Sequence, residues 1–310
     1  MVFLNADLVC EGGGVRGIGL LGAIYYFNEA GYEFKKIAGN SAGSIVASLV
    51  ACGYKGEELK KLAYSINYSD FIDMTKLSKI PIVGPLISIA KLNGIFKGDA
   101  FEKFMQEMLL AKGKIKFKDI AINNESPLKI ITSDITRHKL IVLPDDLVQY
   151  NIDPLEFNIA KAVRMSMSIP YIFTPVLLDY NNGNSSYMVD GGLICNYPVW
   201  LFDVDGVPRW PTFGLRLTSD SDLKVTSARN TTMLNYLLNL INTCLSSSEE
   251  SYLNNKDSVR IIDIPTFDIN SFNFHLTHSQ VEKLFNSGYT AAKEFLQNWN
   301  FNEYIKNYRT

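Results

Sequence analysis

The sequence predicts an α/β protein, a three-layer α/β/α arrangement around a mostly parallel central sheet. Three observations carry this. The chain opens with apolar runs and helical patterns in the order β-α-β-α, which builds a parallel sheet with helices on both faces. Its glycine clusters, at 12–17 and 39–43, fall where a strand hands over to a helix. The hydrophobic content of 47% contains no apolar run of the roughly 18 residues a bilayer-spanning helix needs, so it is available for an interior core.

The elements follow in order. A first strand at 6–10 ends in Glu11 and the run GGGVRG. The helix predicted at 18–30 is apolar almost all round and contains Gly19, Gly22 and Ala23, so it is expected to be buried and closely packed, with Gly31 ending it. A strand at 34–38 runs into Gly39-Asn40-Ser41-Ala42-Gly43, and an amphipathic helix at 44–52 follows at once. Beyond 57–67 comes the run IPIVGPLISIA at 80–90, surrounded by Lys76, Lys79, Lys91 and Lys97. Its two prolines and glycine argue against a long regular element. An exposed apolar loop that touches lipid or covers a cleft, and a buried core segment, both remain open there.

Asp99 with Glu102 is expected to cap the next helix, whose Phe101, Phe104, Met105, Met108 and Leu109 recur at helical spacing before Gly113. A strand at 128–133 ends at Asp134, and 140–143 is its hairpin partner after the Arg137-His138 turn. Asp153-Pro154 predicts a helix start running to Met167, closed by Pro170. A short strand at 186–189 leads into Asp190-Gly191-Gly192, and 213–217 and 259–264 read as further strands. Between the last two, Leu234, Leu237, Leu238, Ile241 and Leu245 stripe an amphipathic helix. The final helix starts at Thr277 with Gln280 as a capping pair. Nothing in the middle has the composition of a linker, so a single domain over 1–310 is expected.

Net charge near −2 and a pI near 6.0 give no reason to expect a nucleic-acid partner. Cys10, Cys52, Cys195 and Cys244 are far apart, follow no metal spacing and sit in apolar runs. Buried free thiols in a reducing cytoplasm are the expectation. The N-terminus MVFLNADLVC has no basic n-region and carries Asp7 early, so no secretory signal is expected.

Two motifs carry chemistry. Gly39-Asn40-Ser41-Ala42-Gly43 is G-x-S-x-G in the strand–turn–helix context that exposes a serine hydroxyl at a cramped turn, before the positive end of a helix. Gly12, Gly14 and Gly17 match G-x-G-x-x-G, but the second strand ends without the carboxylate that would hold a ribose, and no Gly-Lys-Ser/Thr is present. Successive glycines instead expose amide donors in a concave nest at a helix start. Adjacent parallel strands would bring that nest and Ser41 to one sheet edge, where an ester's tetrahedral oxyanion needs such donors. Arg16 either anchors the loop or adds positive potential.

The base for Ser41 is less determined by sequence. His138 lies in a turn between Arg137 and Lys139, His278 in the first turn of the last helix, and His275 in FNFHL. Ser41, Asp190, His275 is the chain order of an α/β-hydrolase triad, which keeps that option open. Asp190 ends a strand and enters a slim Gly191-Gly192 turn, which makes it the stronger candidate; Asp134 also ends a strand and is the reserve.

GGGVRG at 12–17, GNSAG at 39–43 and DGG at 190–192, in this order, resemble the patatin-like phospholipases, whose catalytic fold is shared with cytosolic phospholipase A enzymes. FKGDAFEKF at 96–104, VRMSMSIPYIFTPV at 163–176 and DGGLICNYPV at 190–199 also look like bacterial members, so the match spans almost the whole chain. The resemblance implies a histidine-free dyad that hydrolyses acyl esters of lipids: Ser41 as nucleophile, Asp190 as base, and Gly12, Gly13 and Gly14, with Arg16, as the oxyanion hole. Gly17, Gly39, Gly43, Gly191 and Gly192 support these motifs. It implies no cofactor and no metal, a phospholipid or lysophospholipid substrate and transient contact with a membrane surface; a cytoplasmic location is expected from the cysteines and the missing secretory signal. A non-catalytic lipid- or nucleotide-binding module on the same fold, and acyl transfer to an acceptor other than water, are the competing expectations.

Overall fold

The computed structural model describes residues 4–81, 83–181, 183–219, 239–240, 243 and 255–309. Ten strands can be followed. β1 (Leu4–Cys10), β2 (Tyr32–Asn40), β4 (Leu128–Asp134), β5 (Lys139–Leu143), β7 (Val176–Tyr180), β8 (Asn184–Asp190), β9 (Thr212–Thr218) and β10 (Ile261–Pro265) form one sheet in the order β10-β9-β1-β2-β4-β8-β7, with β5 also on β4. β10, β9, β1, β2 and β4 pair in parallel, while β5, β7 and β8 join antiparallel. The small strands β3 (Gly94–Phe96) and β6 (Tyr171–Phe173) pair with each other. The architecture is the predicted mixed α/β one, a mostly parallel central sheet flanked by helices.

The helices of eight or more residues are α1 (Ile18–Glu29), α2 (Ala42–Ala51), α3 (Gly56–Ser65), α4 (Gly84–Leu92), α5 (Asp99–Ala111), α6 (Ile159–Ser166), α7 (His278–Asn298) and α8 (Phe301–Tyr308). Side chains alternate across each strand, so Leu8, Cys10 and Ile37 enter the main core with α1, α2 and α7, whereas Val9 and Ala38 meet Tyr197, Val199 and Phe202 on the opposite face. α1 and α7 touch backbone to backbone: a Cβ on Gly22 would fall 1.9 Å from the Phe285 carbonyl oxygen, and one on Gly288 would fall 1.8 Å from that of Gly19. This is the close packing that the small residues of α1 predict.

Three expectations are corrected. The 80–90 run is not loop throughout, because Pro85 sits in the first turn of α4, where a missing N–H costs nothing. Asp99 does not cap α5; it is the first helical residue, and Asp73 caps from outside by accepting from the Gly98 amide (2.7 Å) and the Ala100 amide (3.0 Å). The 153–167 helix is shorter and begins at Ile159, capped by Asn158. The residues before it give their carbonyls to another segment, Leu155 to Lys118 N–H and Phe157 to Phe117 N–H. The final helix begins as expected, with a reciprocal Thr277–Gln280 capping box. Of the predicted helix across 234–245 only residues 239–240 and 243 are described, and these are helical; Cys244 lies outside the described residues, and Cys10, Cys52 and Cys195 are buried free thiols. Among the described residues no helix is long and apolar enough to cross a membrane.

Candidate active site

Strand pairing explains how residues 150 positions apart meet. β5 and β8 both pair with residues 132–134 of β4, so they occupy its opposite edges; β5 and β2 both pair with residues 130–131, so they do too. β2 and β8 therefore share one edge of β4, end to end. β2 stops at Asn40 opposite Ile131, and β8, running the other way, stops at Asp190 opposite Thr132. The two C-terminal ends face each other across one residue step.

Ser41 follows directly, with φ 49° and ψ −123°, a conformation that costs a non-glycine residue roughly 1–3 kcal/mol. Its neighbours hold it there. The Ser41 amide donates to Ser166 Oγ (2.9 Å), and its carbonyl accepts from the Ser44 amide (2.9 Å) and Ser44 Oγ (2.6 Å). Gly43 lets α2 start against the end of β1, since a Cβ there would lie 2.3 Å from the Cys10 carbonyl oxygen.

Cys10 pairs with Gly39, so the glycine loop leaves the sheet beside the serine turn. A Cβ on Gly12 would sit 3.0 Å from Ser41 Cβ, filling the space next to the hydroxyl. Gly14 has φ +57°, and its loop is held by Val15 N–H donating to the Ser271 carbonyl (3.0 Å). The Arg16 amide is committed to the Gly13 carbonyl (3.2 Å). Gly17 packs on Ala42 Cβ, Gly39 lies under the Gly43 carbonyl, and Gly191 lies against Asn40 Oδ1.

Asp190 is buried, and Oδ1 accepts from the Gly192 amide (2.8 Å) and from Asn40 Nδ2 (3.2 Å). Burial pushes its pKa up to about 6, against the opposing pull of the Ser41 side chain, the Gly192 amide and Asn40. Asn40 in turn donates to Asn196 Oδ1 (2.9 Å), and Asn196 Nδ2 donates to Glu11 Oε1 (3.3 Å). Buried Glu11 also accepts from the Leu217 amide. This Glu11–Asn196–Asn40 chain fixes the amide that faces Asp190. Sequence reasoning missed Asn40, Asn196, Glu11 and Ser166 as site residues. For Asn40 and Glu11 the available signal was a polar side chain at the buried end of an apolar strand, which must find a partner; Asn196, in a loop, and Ser166, at the end of α6, carried no such signal.

His138, His275 and His278 are all exposed, and none is among the groups that act on Ser41 or Asp190. Asp134 is used elsewhere: it accepts from the Thr136 and Arg137 amides and from the Tyr150 hydroxyl. Among the described residues no three His, Cys, Asp or Glu side chains converge as a metal site.

A patatin-like phospholipase family model matches residues 8–203, the span that contains all three glycine motifs. The chain belongs to the patatin-like phospholipase family. This patatin-like protein is 35% identical over 297 residues to the uncharacterised protein YqhO of Bacillus subtilis, covering 95% of this chain and 99% of the relative. It is 27% identical over 199 residues to the probable lipid hydrolase 463L of invertebrate iridescent virus 6, covering 62% of this chain and 61% of the relative. Its fold resembles that of VipD from Legionella pneumophila (TM-score 0.55, 17% identity, 94% of this chain) and that of the type III effector ExoU (TM-score 0.53, 16% identity, 94% of this chain). The patatin-like chain spans 66% of the VipD chain and 53% of the ExoU chain.

Proposed function

We propose that the protein is a lipid acyl hydrolase of the phospholipase A or lysophospholipase type, with Ser41 as nucleophile and Asp190 as its base. The observation that carries this reading is the meeting of β2 and β8, which sets a strained serine against a buried carboxylate with a pKa near 6. Family membership and the named viral lipid hydrolase support the substrate class.

Ser41 Oγ attacks the ester carbonyl carbon while Asp190 takes the hydroxyl proton. Both fixed donors fall on Asp190 Oδ1, which leaves Oδ2 to receive it. The Gly12, Gly13 and Gly14 amides hold the tetrahedral oxyanion, a role in which one lost donor costs about 3 kcal/mol. Arg16 adds positive potential. The intermediate collapses, the proton passes from Asp190 to the departing alcohol, and an acyl-enzyme remains. Water, deprotonated by Asp190, then releases the fatty acid and restores Ser41. A pKa near 6 suits this exchange: the carboxylate is largely ionised at neutral pH, yet more basic than an exposed aspartate.

The test combines labelling and turnover. A fluorophosphonate probe should form an adduct on Ser41, and Ser41→Ala and Asp190→Asn should each abolish hydrolysis of a phospholipid while remaining folded. Replacing His275 and His278 together by alanine should leave turnover nearly unchanged; its collapse would transfer the base role to an imidazole. No adduct on Ser41 would favour a binding module, and product analysis with an added alcohol would detect acyl transfer.

A further inference from the structure

Residues 74–81 and 83–98 bury three hydroxyls while leaving several aliphatic side chains exposed. Thr75, Ser78 and Ser88 are buried and joined by hydrogen bonds: Thr75 Oγ1 to Ser88 Oγ at 2.6 Å, Ser78 Oγ to the Ile95 carbonyl at 2.9 Å, and Ser88 Oγ to the Gly94 carbonyl at 2.6 Å. Meanwhile Ile80 (44%), Val83 (49%), Leu86 (48%) and Leu92 (41%) stand in solvent. The exposed side chains are therefore not the loose end of a poorly packed loop, because a closed hydroxyl network holds the segment from within.

The charge on this face has one sign. Lys76, Lys79, Lys91 and Lys97 are exposed, and no Asp or Glu occurs between residues 74 and 98. Asp73, at its edge, is committed to the α5 amides; Asp99 and Glu102 open that helix. An apolar ridge rimmed by lysines matches the two layers of an anionic bilayer surface, acyl chains beneath phosphate oxygens. It does not match a mixed-charge protein surface.

The segment is also tied to the candidate active site. β3 pairs with β6, and the buried Arg164 guanidinium donates to the Lys97 carbonyl, the Thr174 carbonyl and Ser168 Oγ. The Ser168 carbonyl accepts from the Asp190 amide (2.9 Å). Exposed Tyr171 on β6 adds an aromatic ring beside the ridge.

We infer that residues 74–98 form the face on which this protein docks to lipid surfaces bearing anionic headgroups. The inference rests on the lipid-hydrolase reading for its biological sense, but its test does not depend on turnover. Ser41→Ala protein is pelleted with vesicles of equimolar phosphatidylcholine and phosphatidylglycerol, and with phosphatidylcholine alone. Binding is expected to the first, many-fold weaker to the second, and reduced by added salt. Lys79→Ala and Lys91→Ala should each weaken it about 5-fold, and Leu86→Asp roughly 10-fold or more, with thermal melting confirming that each variant is folded. Equal binding to both vesicle types, or unaltered binding of folded Leu86→Asp, overturns the inference. So does a dimer of the Ser41→Ala protein that Leu86→Asp dissolves, which would assign the ridge to a second copy. Docking by a protein that proves unable to hydrolyse any ester would overturn the catalytic reading and leave this one standing.

Discussion

Asp134 and Asp190 end neighbouring antiparallel strands, both are buried, and their pKa values move in opposite directions. For both, burial is the leading effect and pushes upward. At Asp134 it is outweighed by the Tyr150 hydroxyl (2.6 Å) and by the Arg137 amide, aided by the Thr136 amide, so the carboxylate sits below its ordinary value. The Arg137 guanidinium also lies 4.0 Å away. At Asp190 the compensating groups are Ser41, one amide and Asn40, no cation is among them, and burial wins. A fully satisfied carboxylate is a structural pin; an under-satisfied one retains an appetite for a proton.

The sharpest way to break the comparison is to neutralise each in turn. Asp190→Asn should lower kcat/KM for a lipid ester by about 1,000-fold or more, while raising stability at pH 7 by roughly 2–3 kcal/mol. Asp134→Asn should do the reverse, destabilising by roughly 2–4 kcal/mol with little change in turnover per folded molecule. Denaturant unfolding beside steady-state rates separates the two, and equal activity losses would erase the distinction.

The pH dependence follows with opposite signs. Asp134, with a depressed folded pKa, contributes stability above the ordinary aspartate value of about 3.9, and it is lost as pH falls through the folded value. Asp190, raised to about 6, contributes fully only below about 3.9. That contribution is lost as pH rises through about 6, where kcat/KM should rise with the ionised base. Melting of wild type against Asp190→Asn between these values should show a gap that widens with pH.

Asn40→Ala removes one of the donors to Asp190. It should move the acid limb of kcat/KM upward and lower the plateau about 10-fold; an unmoved limb would mean that the Glu11–Asn196–Asn40 chain only packs. The smallest change in stability is expected from Ser41→Gly, a variant that also lacks the proposed nucleophile and is therefore read by melting alone. Relief of the positive φ should add about 1 kcal/mol of stability by thermal melting.

Much of this was readable from residues because it is local. The glycine loop and the serine turn each carry their strand–turn–helix context within a few positions, and the Thr277 cap needs only Gln280. Asp134 and Asp190 look alike in sequence because each ends an apolar strand. What distinguishes them is the donors each meets: Thr136, Arg137 and Tyr150 at Asp134, but Asn40 from 150 positions away at Asp190. The same reason hid the α5 cap, supplied by Asp73 rather than Asp99, and the roles of Glu11 and Asn196, which meet from 185 positions apart. At α4 Pro85 was visible, but the helix turns Ser88 inward and Leu86 outward, so its direction needed coordinates.

The junction of β2 with β8 has a consequence for assembly. The contact between Asn40 and Asp190 closes a loop of 150 residues, and closures of that length carry an entropic cost that local contacts do not. Neither half of the chain holds a rudimentary version of the chemistry that the other could refine. On the proposed chemistry, the serine and its base would come together only when this seam forms.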